Sequence, residues 1–130
     1  MNNNSQDSLS LYNRIGGKEA VQATVTKLYG KILTDNLLNR FFDPDNIEQL
    51  KRSQIAFITM AFGGPHDYTG EDLRTAHAPY IEQGLSDKHF DAVAGHLAET
   101  MRELGVDEGL IEEALAIVET TRAPVLGKDS

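Results

Sequence analysis

Apolar residues recur at steps of three and four along most of the chain, the spacing that places them on one face of an α-helix. One such stripe runs from about Lys18 to Thr34, and another begins near Asn46, a suitable N-cap, and stops at Gly63. The strongest stripe spans Ser86 to Leu104, and a last one follows an N-cap at Asp107 and ends before Pro124. Strand-type alternation is absent, so the pattern predicts an all-α fold of helices packed on helices.

The passage from Pro65 to Gly84 lacks this regularity. Its prolines and glycines predict a long loop and one short helix around Leu73 to Ile81. Pro79 has no backbone N–H and is tolerated mainly in the first turn of a helix. A regular helix that holds His77 should therefore start close to this proline.

The length, charge and termini narrow the class of protein. A chain of 130 residues is expected to form one domain, which we place at residues 10–126. Residues 1–9 carry neither a basic patch nor an apolar stretch, so we expect a flexible leader, not a signal peptide or an anchor. The formal net charge of −8 disfavours nucleic acid and anionic membranes as partners, and the lack of cysteine excludes disulfides and thiolate metal ligands. We expect a soluble, cytoplasmic monomer.

Three polar side chains lie among apolar neighbours: Tyr29 and Gln54 within the stripes, and His77 flanked by Leu73, Ala76, Tyr80 and Ile81. A buried polar group without a hydrogen bond costs about 1–3 kcal/mol, so each of these groups needs a partner between the helices. A bound cofactor would supply such a partner. In the alternative interpretation, the three are core residues satisfied by their protein neighbours, and the pattern alone leaves both interpretations open.

The other histidines indicate no further site. His66 lies in a polar loop, while His89 and His96 fall beside the apolar stripe of their helix, where solvated flanks are expected. No cysteine or glutamate joins the histidines at the spacing of a zinc site. Hydrolase, metalloprotease and phosphate-loop motifs are also absent from the sequence.

Seven short motifs, taken together, carry a family resemblance over about residues 10 to 125. They are LYNRIGG at 11–17, LYGKIL at 28–33, RFF at 40–42, QIAFITMAFGGP at 54–65, YTG at 68–70, AH at 76–77 and HFDAVAGHL at 89–97. In this order they resemble the truncated haemoglobins, and specifically the first group of that family. The resemblance implies a shortened globin fold, a two-over-two helical sandwich around haem, with a very short first helix and an incomplete proximal helix.

The resemblance also implies one haem b per chain and gives roles to the inward polar residues. His77 matches the proximal iron ligand, and Phe42 matches the phenylalanine that packs on the porphyrin face. Tyr29 and Gln54 match the distal pair, in which the tyrosine hydroxyl, oriented by the amide, donates to bound oxygen.

The sixth iron position is implied to be open or water-bound. Leu50 stands where common globins have a distal histidine, and Ser53 stands where some relatives have a histidine that closes the sixth site. The last predicted helix contains no histidine that could attach covalently to a haem vinyl group, which is a further departure from some relatives.

Four more residues are implied to contact the haem. Tyr68 matches a tyrosine often found near a haem propionate, and Lys51 or Arg74 could supply a cation there. Phe57 would pack on the distal side or line a ligand tunnel, although an apolar stripe at helical spacing is first of all core.

The function implied by this resemblance is reversible binding of oxygen, with nitric oxide and carbon monoxide as further ligands, for storage, transport or sensing. An enzymatic alternative at the same site is the dioxygenation of nitric oxide to nitrate, which requires a reductase partner. A peroxidase is disfavoured because no second histidine is placed distally as acid and base. The alternative outside haem chemistry is a helical module that binds a partner, and a colourless, stably folded protein that rejects added hemin would favour it.

Overall fold

The computed structural model describes residues 10–65 and 77–128, and this part of the chain is helical without strands. The α-helices are α1 (Leu11–Ile15), α2 (Gly17–Leu33), α3 (Ile47–Ala61), α4 (Asp87–Glu103), α5 (Glu108–Glu119) and α6 (Arg122–Val125). Two 3₁₀ turns, Asn39–Phe41 and Pro44–Asn46, connect α2 to α3. Residues 77–82, between α3 and α4, are also helical. The predicted all-α class is confirmed, whereas the predicted leader at residues 1–9 lies outside the described residues.

The helix boundaries follow from local chemistry that the sequence already contains. Asn46 and Asp107 occupy the predicted N-cap positions of α3 and α5, although neither side chain makes a capping hydrogen bond. The chain leaves α3 at Gly63 and α4 at Gly105, both with a positive φ that suits glycine. Three of the four long predicted helices, α2, α3 and α4, are therefore present within one or two residues of their expected ends.

The end of the chain differs from the prediction in one respect. The last predicted helix stops at Glu119, and a separate short helix, α6, follows it and contains Pro124. Pro124 is tolerated there because it lies in the first turn of α6, where a backbone N–H has no partner within the helix.

The long helices form two pairs around a common core. Helix α2 packs on α3 and also on α4, α4 packs on α5, and the short α1 packs on both α2 and α5. The innermost side chains come from all of these helices, with no more than 3% of their surface exposed: Leu11, Val21, Val25, Leu28, Ile32, Ile58, Leu97, Met101, Ile111 and Ala114. None of the helices in the described part is long and apolar enough to cross a bilayer.

A close approach fixes α1 against the end of α3. The Tyr12 backbone N–H donates to the Phe62 carbonyl oxygen at 2.8 Å. A Cβ at Gly64 would lie 2.7 Å from Tyr12 Cδ1 and 2.8 Å from Thr59 Cγ2, closer than packed carbon atoms tolerate. Glycine at position 64 therefore lets the very short first helix seal one end of the core.

Candidate functional site

A cavity of about 190 Å³ lies between the two helix pairs. Protein interiors are close-packed and hold few voids larger than a water molecule, so a cavity of this size has the dimensions of a ligand site. Its lining is mainly apolar. The residues predicted for the site that line it are Tyr29, Phe42, Leu50, Gln54, Phe57 and His77.

Helix α2 carries Tyr29 at the cavity, with only 4% of the residue exposed. Its ring meets the ring of Phe42 edge-on, with the centroids 5.6 Å apart. The Tyr29 hydroxyl makes no hydrogen bond to any described residue, and burial raises its pKa above the ordinary value, with a smaller contribution from Tyr80. The hydroxyl is therefore a protonated donor that a ligand in the cavity can use.

Helix α3 presents a second polar group to the same cavity. Leu50, Gln54 and Phe57 follow one another at steps of four and three, so they share one face of α3, and all three line the cavity. Gln54 is half-buried and supplies an amide to a wall that is otherwise largely apolar. The side chains of Tyr29 and Gln54 thus border one space because α2 and α3 pack on each other.

His77 lines the cavity from the helical segment at 77–82, which separates it in the chain from both α2 and α3. It is half-buried, and its ring lies 6.1 Å from the ring of Tyr80, centroid to centroid. Tyr80, which sequence reasoning did not single out, stacks on Phe42 at 6.4 Å and also lines the cavity. The aromatic rings of Phe42 and Tyr80 therefore connect the region of Tyr29 with that of His77.

Of the residues expected near a propionate, the structure describes only Lys51. The Lys51 ammonium lies 3.7 Å from a carboxylate oxygen of Glu48, and the side chain is not part of the lining. Tyr68 and Arg74 lie outside the described residues. Their roles stay predictions.

The expected solvated position of His89 is wrong. Only 1% of this residue is exposed, because the 3₁₀ turn Asn39–Phe41 places the Phe41 ring against it. The centroids of the two rings lie 4.8 Å apart. The Ser86 backbone N–H donates to His89 Nδ1 at 3.0 Å, so the imidazole occupies the third position of α4 and caps its first turn. The spacing Ser86-x-x-His89 is the signal that could have located it. The other flank residue, His96, is half-buried, with its Nε2 2.7 Å from an Asp35 carboxylate oxygen.

The capping role of His89 predicts a dependence of stability on pH. Burial lowers the pKa of the His89 imidazole from its ordinary 6.5, and the nearby cations Lys88 and Arg40 lower it further. The unfolded chain therefore takes up a proton near pH 6.5 while the folded chain still resists it, so stability falls as the pH drops below 6.5. The loss is at most about 1.4 kcal/mol for each pH unit.

Urea unfolding of the wild-type chain and of His89→Gln at pH 7.5 and pH 5.5 measures this effect. Glutamine can accept from the Ser86 N–H but does not titrate. We expect the stability of the wild type to fall relative to His89→Gln on acidification. Parallel losses in the two proteins would contradict the assignment.

A protein family model and the sequences of known proteins match most of this chain. Residues 10–126 match the family model described as bacterial-like globin. The group 1 truncated hemoglobin of Tetrahymena pyriformis is 38% identical over 119 residues, which are 92% of this chain and 96% of that protein. The group 1 truncated hemoglobin GlbN of Synechocystis is 41% identical over 109 residues, which are 83% of this chain and 88% of that protein.

Solved structures agree with the arrangement of the helices. A crystal structure of the 2/2 hemoglobin from Synechococcus sp. PCC 7002, in the cyanomet state and with covalently attached heme, superposes with a TM-score of 0.85 at 43% identity. The match covers 92% of this chain and 99% of that one. The predicted two-over-two globin fold is thereby confirmed. The chain belongs to the bacterial-like globins and, within them, to the group 1 truncated haemoglobins.

Proposed function

We propose that this protein holds one haem b in the cavity through His77 and binds oxygen reversibly beside Tyr29 and Gln54. The observation that carries the proposal is that one largely apolar cavity is lined by a histidine from one segment and by a hydroxyl and an amide from two others. A flat apolar macrocycle needs such a lining, and a single protein imidazole completes its proximal coordination.

The donor set fits this cofactor. When bound, ferrous haem supplies an iron atom that takes up a diatomic gas such as oxygen, nitric oxide or carbon monoxide. His77 contributes a neutral imidazole, the form of histidine that ligates metals. Phe42 and Tyr80, stacked 6.4 Å apart, offer aromatic faces in the same cavity, and Leu50 and Phe57 keep the α3 wall apolar.

Tyr29 is the residue that favours oxygen among these gases. Its hydroxyl is buried, protonated and without a hydrogen bond to the described residues. A donor of this kind stabilises a ligand that carries partial negative charge and does less for carbon monoxide. The Gln54 amide, on the same cavity, can accept from or donate to the hydroxyl and so hold it in one orientation.

Absorption spectra of the purified full chain test this function. After titration with hemin we expect an intense Soret band at one haem per chain, distinct ferric and ferrous forms, and a further stable spectrum when the ferrous protein meets oxygen. A colourless, stably folded chain that rejects hemin would instead favour a helical module that binds a partner. Haem uptake without a stable oxygenated spectrum would contradict the oxygen assignment alone.

A further inference from the structure

One ring nitrogen of the buried His89 has a fixed role. Two polar atoms of Ser86 lie within hydrogen-bond distance of His89 Nδ1: the backbone nitrogen at 3.0 Å and Oγ at 3.2 Å. A backbone N–H can only donate, so Nδ1 must be the acceptor and carries no proton. In the neutral imidazole the proton then sits on Nε2, which makes the opposite edge of the ring a hydrogen-bond donor.

The donor edge of His89 has no protein acceptor in the part of the chain that the structure describes. The residue is 1% exposed and lines the cavity, and its hydrogen bonds to described residues all involve Nδ1. A ligand that fills the cavity removes water from a donor that faces it, and a donor then left without an acceptor is costly, so an acceptor atom is expected from the ligand. Because Ser86 occupies the Nδ1 edge, the ring cannot turn Nε2 away from the cavity without losing the cap.

Two exposed cations lie near the His89 side chain, although neither is part of the cavity lining. The Arg40 guanidinium stacks 4.5 Å above the ring of Phe41, which lines the cavity, and Arg40 Nη2 would lie 3.3 Å from a Cβ at Gly84. Lys88 directly precedes His89, and both cations act on the His89 imidazole by charge.

Arg40 and Lys88 differ from most other described cations in their ion pairing. Arg40 and Lys88 form no ion pair with any described residue. By contrast, most described cations are paired with carboxylates: Arg14, Lys27, Lys31, Lys51, Arg102, Arg122 and Lys128. In a chain of net charge −8, positive charge without a counter-ion next to a buried donor is suited to an anionic acceptor.

We propose that His89, Arg40 and Lys88 form a carboxylate-binding corner that holds one propionate group of the haem. His89 donates through Nε2–H, and Arg40 and Lys88 supply the counter-charge. This assignment rests on the proposed haem function and differs from the propionate contacts implied by the family resemblance, which were Tyr68, Lys51 and Arg74.

The experiment compares hemin with its dimethyl ester, in which both propionates are uncharged. Each porphyrin is loaded into the wild-type chain. We then follow the rate of its release to an excess of an apoglobin whose complex with the porphyrin has a distinct Soret band. The measured quantity is the ratio of the two release rates. A charge-assisted hydrogen bond corresponds to about tenfold or more, so we expect the ester to leave wild type at least about tenfold faster than hemin.

Variants locate the carboxylate contact. Arg40→Gln and His89→Leu should each reduce the ratio to about threefold, because hemin then loses a carboxylate contact that the ester never makes. Loosening of the pocket by His89→Leu would speed release of both porphyrins alike and leave the ratio unchanged. Arg52→Gln is the matched control, since Arg52, like Arg40, is an exposed cation without an ion pair to any described residue, but it is not one of the charges that act on His89.

The outcomes separate the two proposals. A ratio that stays at the wild-type value in both Arg40→Gln and His89→Leu would overturn the carboxylate corner while leaving the haem function intact. A wild-type chain that takes up neither porphyrin would overturn both. A ratio that falls equally in Arg52→Gln would show a general charge effect in place of a corner at His89.

Discussion

Replacing His77 by glycine is expected to raise the rate of haem release by more than about 100-fold. His77 is the proposed protein ligand to iron, and even the loss of an outer partner of a metal ligand costs about 10–100-fold in affinity. The residue lines the cavity from a short helical segment that lies outside the long helices α2, α3, α4 and α5. The expected defect is therefore in haem retention and in the iron spectrum, not in folding.

The measurement times hemin release by the Soret band and records the circular dichroism of the same samples. Free imidazole should restore much of the wild-type spectrum to His77→Gly, because it can enter the space of the deleted ring. His96→Gln is a suitable control, since His96 bonds to Asp35 and is absent from the cavity lining. Wild-type release rates and spectra in His77→Gly would remove the proximal assignment.

Replacing Tyr29 by phenylalanine should accelerate oxygen dissociation by about 10–100-fold. The change removes one hydrogen bond to a ligand of partial negative charge, which corresponds to about 1.5–3 kcal/mol. The ring that meets Phe42 edge-on at 5.6 Å is retained, so haem binding should be unchanged. Removal of a buried hydroxyl that bonds to no described residue should leave the stability of the haem-free chain unchanged or slightly raised.

Stopped-flow displacement of oxygen measures this rate. The rate of carbon monoxide dissociation should change much less, because bound carbon monoxide is stabilised less by the hydroxyl donor. Tyr12→Phe is the matched control, because Tyr12 packs at the end of α3 and does not line the cavity. If Tyr29→Phe releases oxygen at the wild-type rate, the distal assignment is wrong.

The positions of the long helices could be predicted because each depends on local rules. The period of apolar residues located α2, α3 and α4, and glycines with positive φ end two of them at Gly63 and Gly105. The same period identified Tyr29, Gln54 and His77 as inward polar residues, and the structure brings all three to one cavity. A polar side chain on an apolar face is visible in the sequence because the face is defined by neighbours three and four residues away.

Contacts between segments distant in the chain could not be predicted in this way. His89 is buried because the turn at Asn39–Phe41 lies against the start of α4. The spacing of apolar residues within α4 gives no information about that turn. Tyr80 was missed for the same reason, since its partners Phe41 and Phe42 lie about forty positions earlier in the chain.

By itself, the sequence of this protein determined its helical class, the extent of its main helices and the three polar side chains that turn inward, because these depend on neighbours within one or two helical turns. Only the tertiary structure decided that the three line one cavity and that His89, with Arg40 and Lys88 beside it, faces the same space. The reason is physical: burial and electrostatic surroundings are set by whichever helix packs opposite, and that partner is chosen by the fold as a whole.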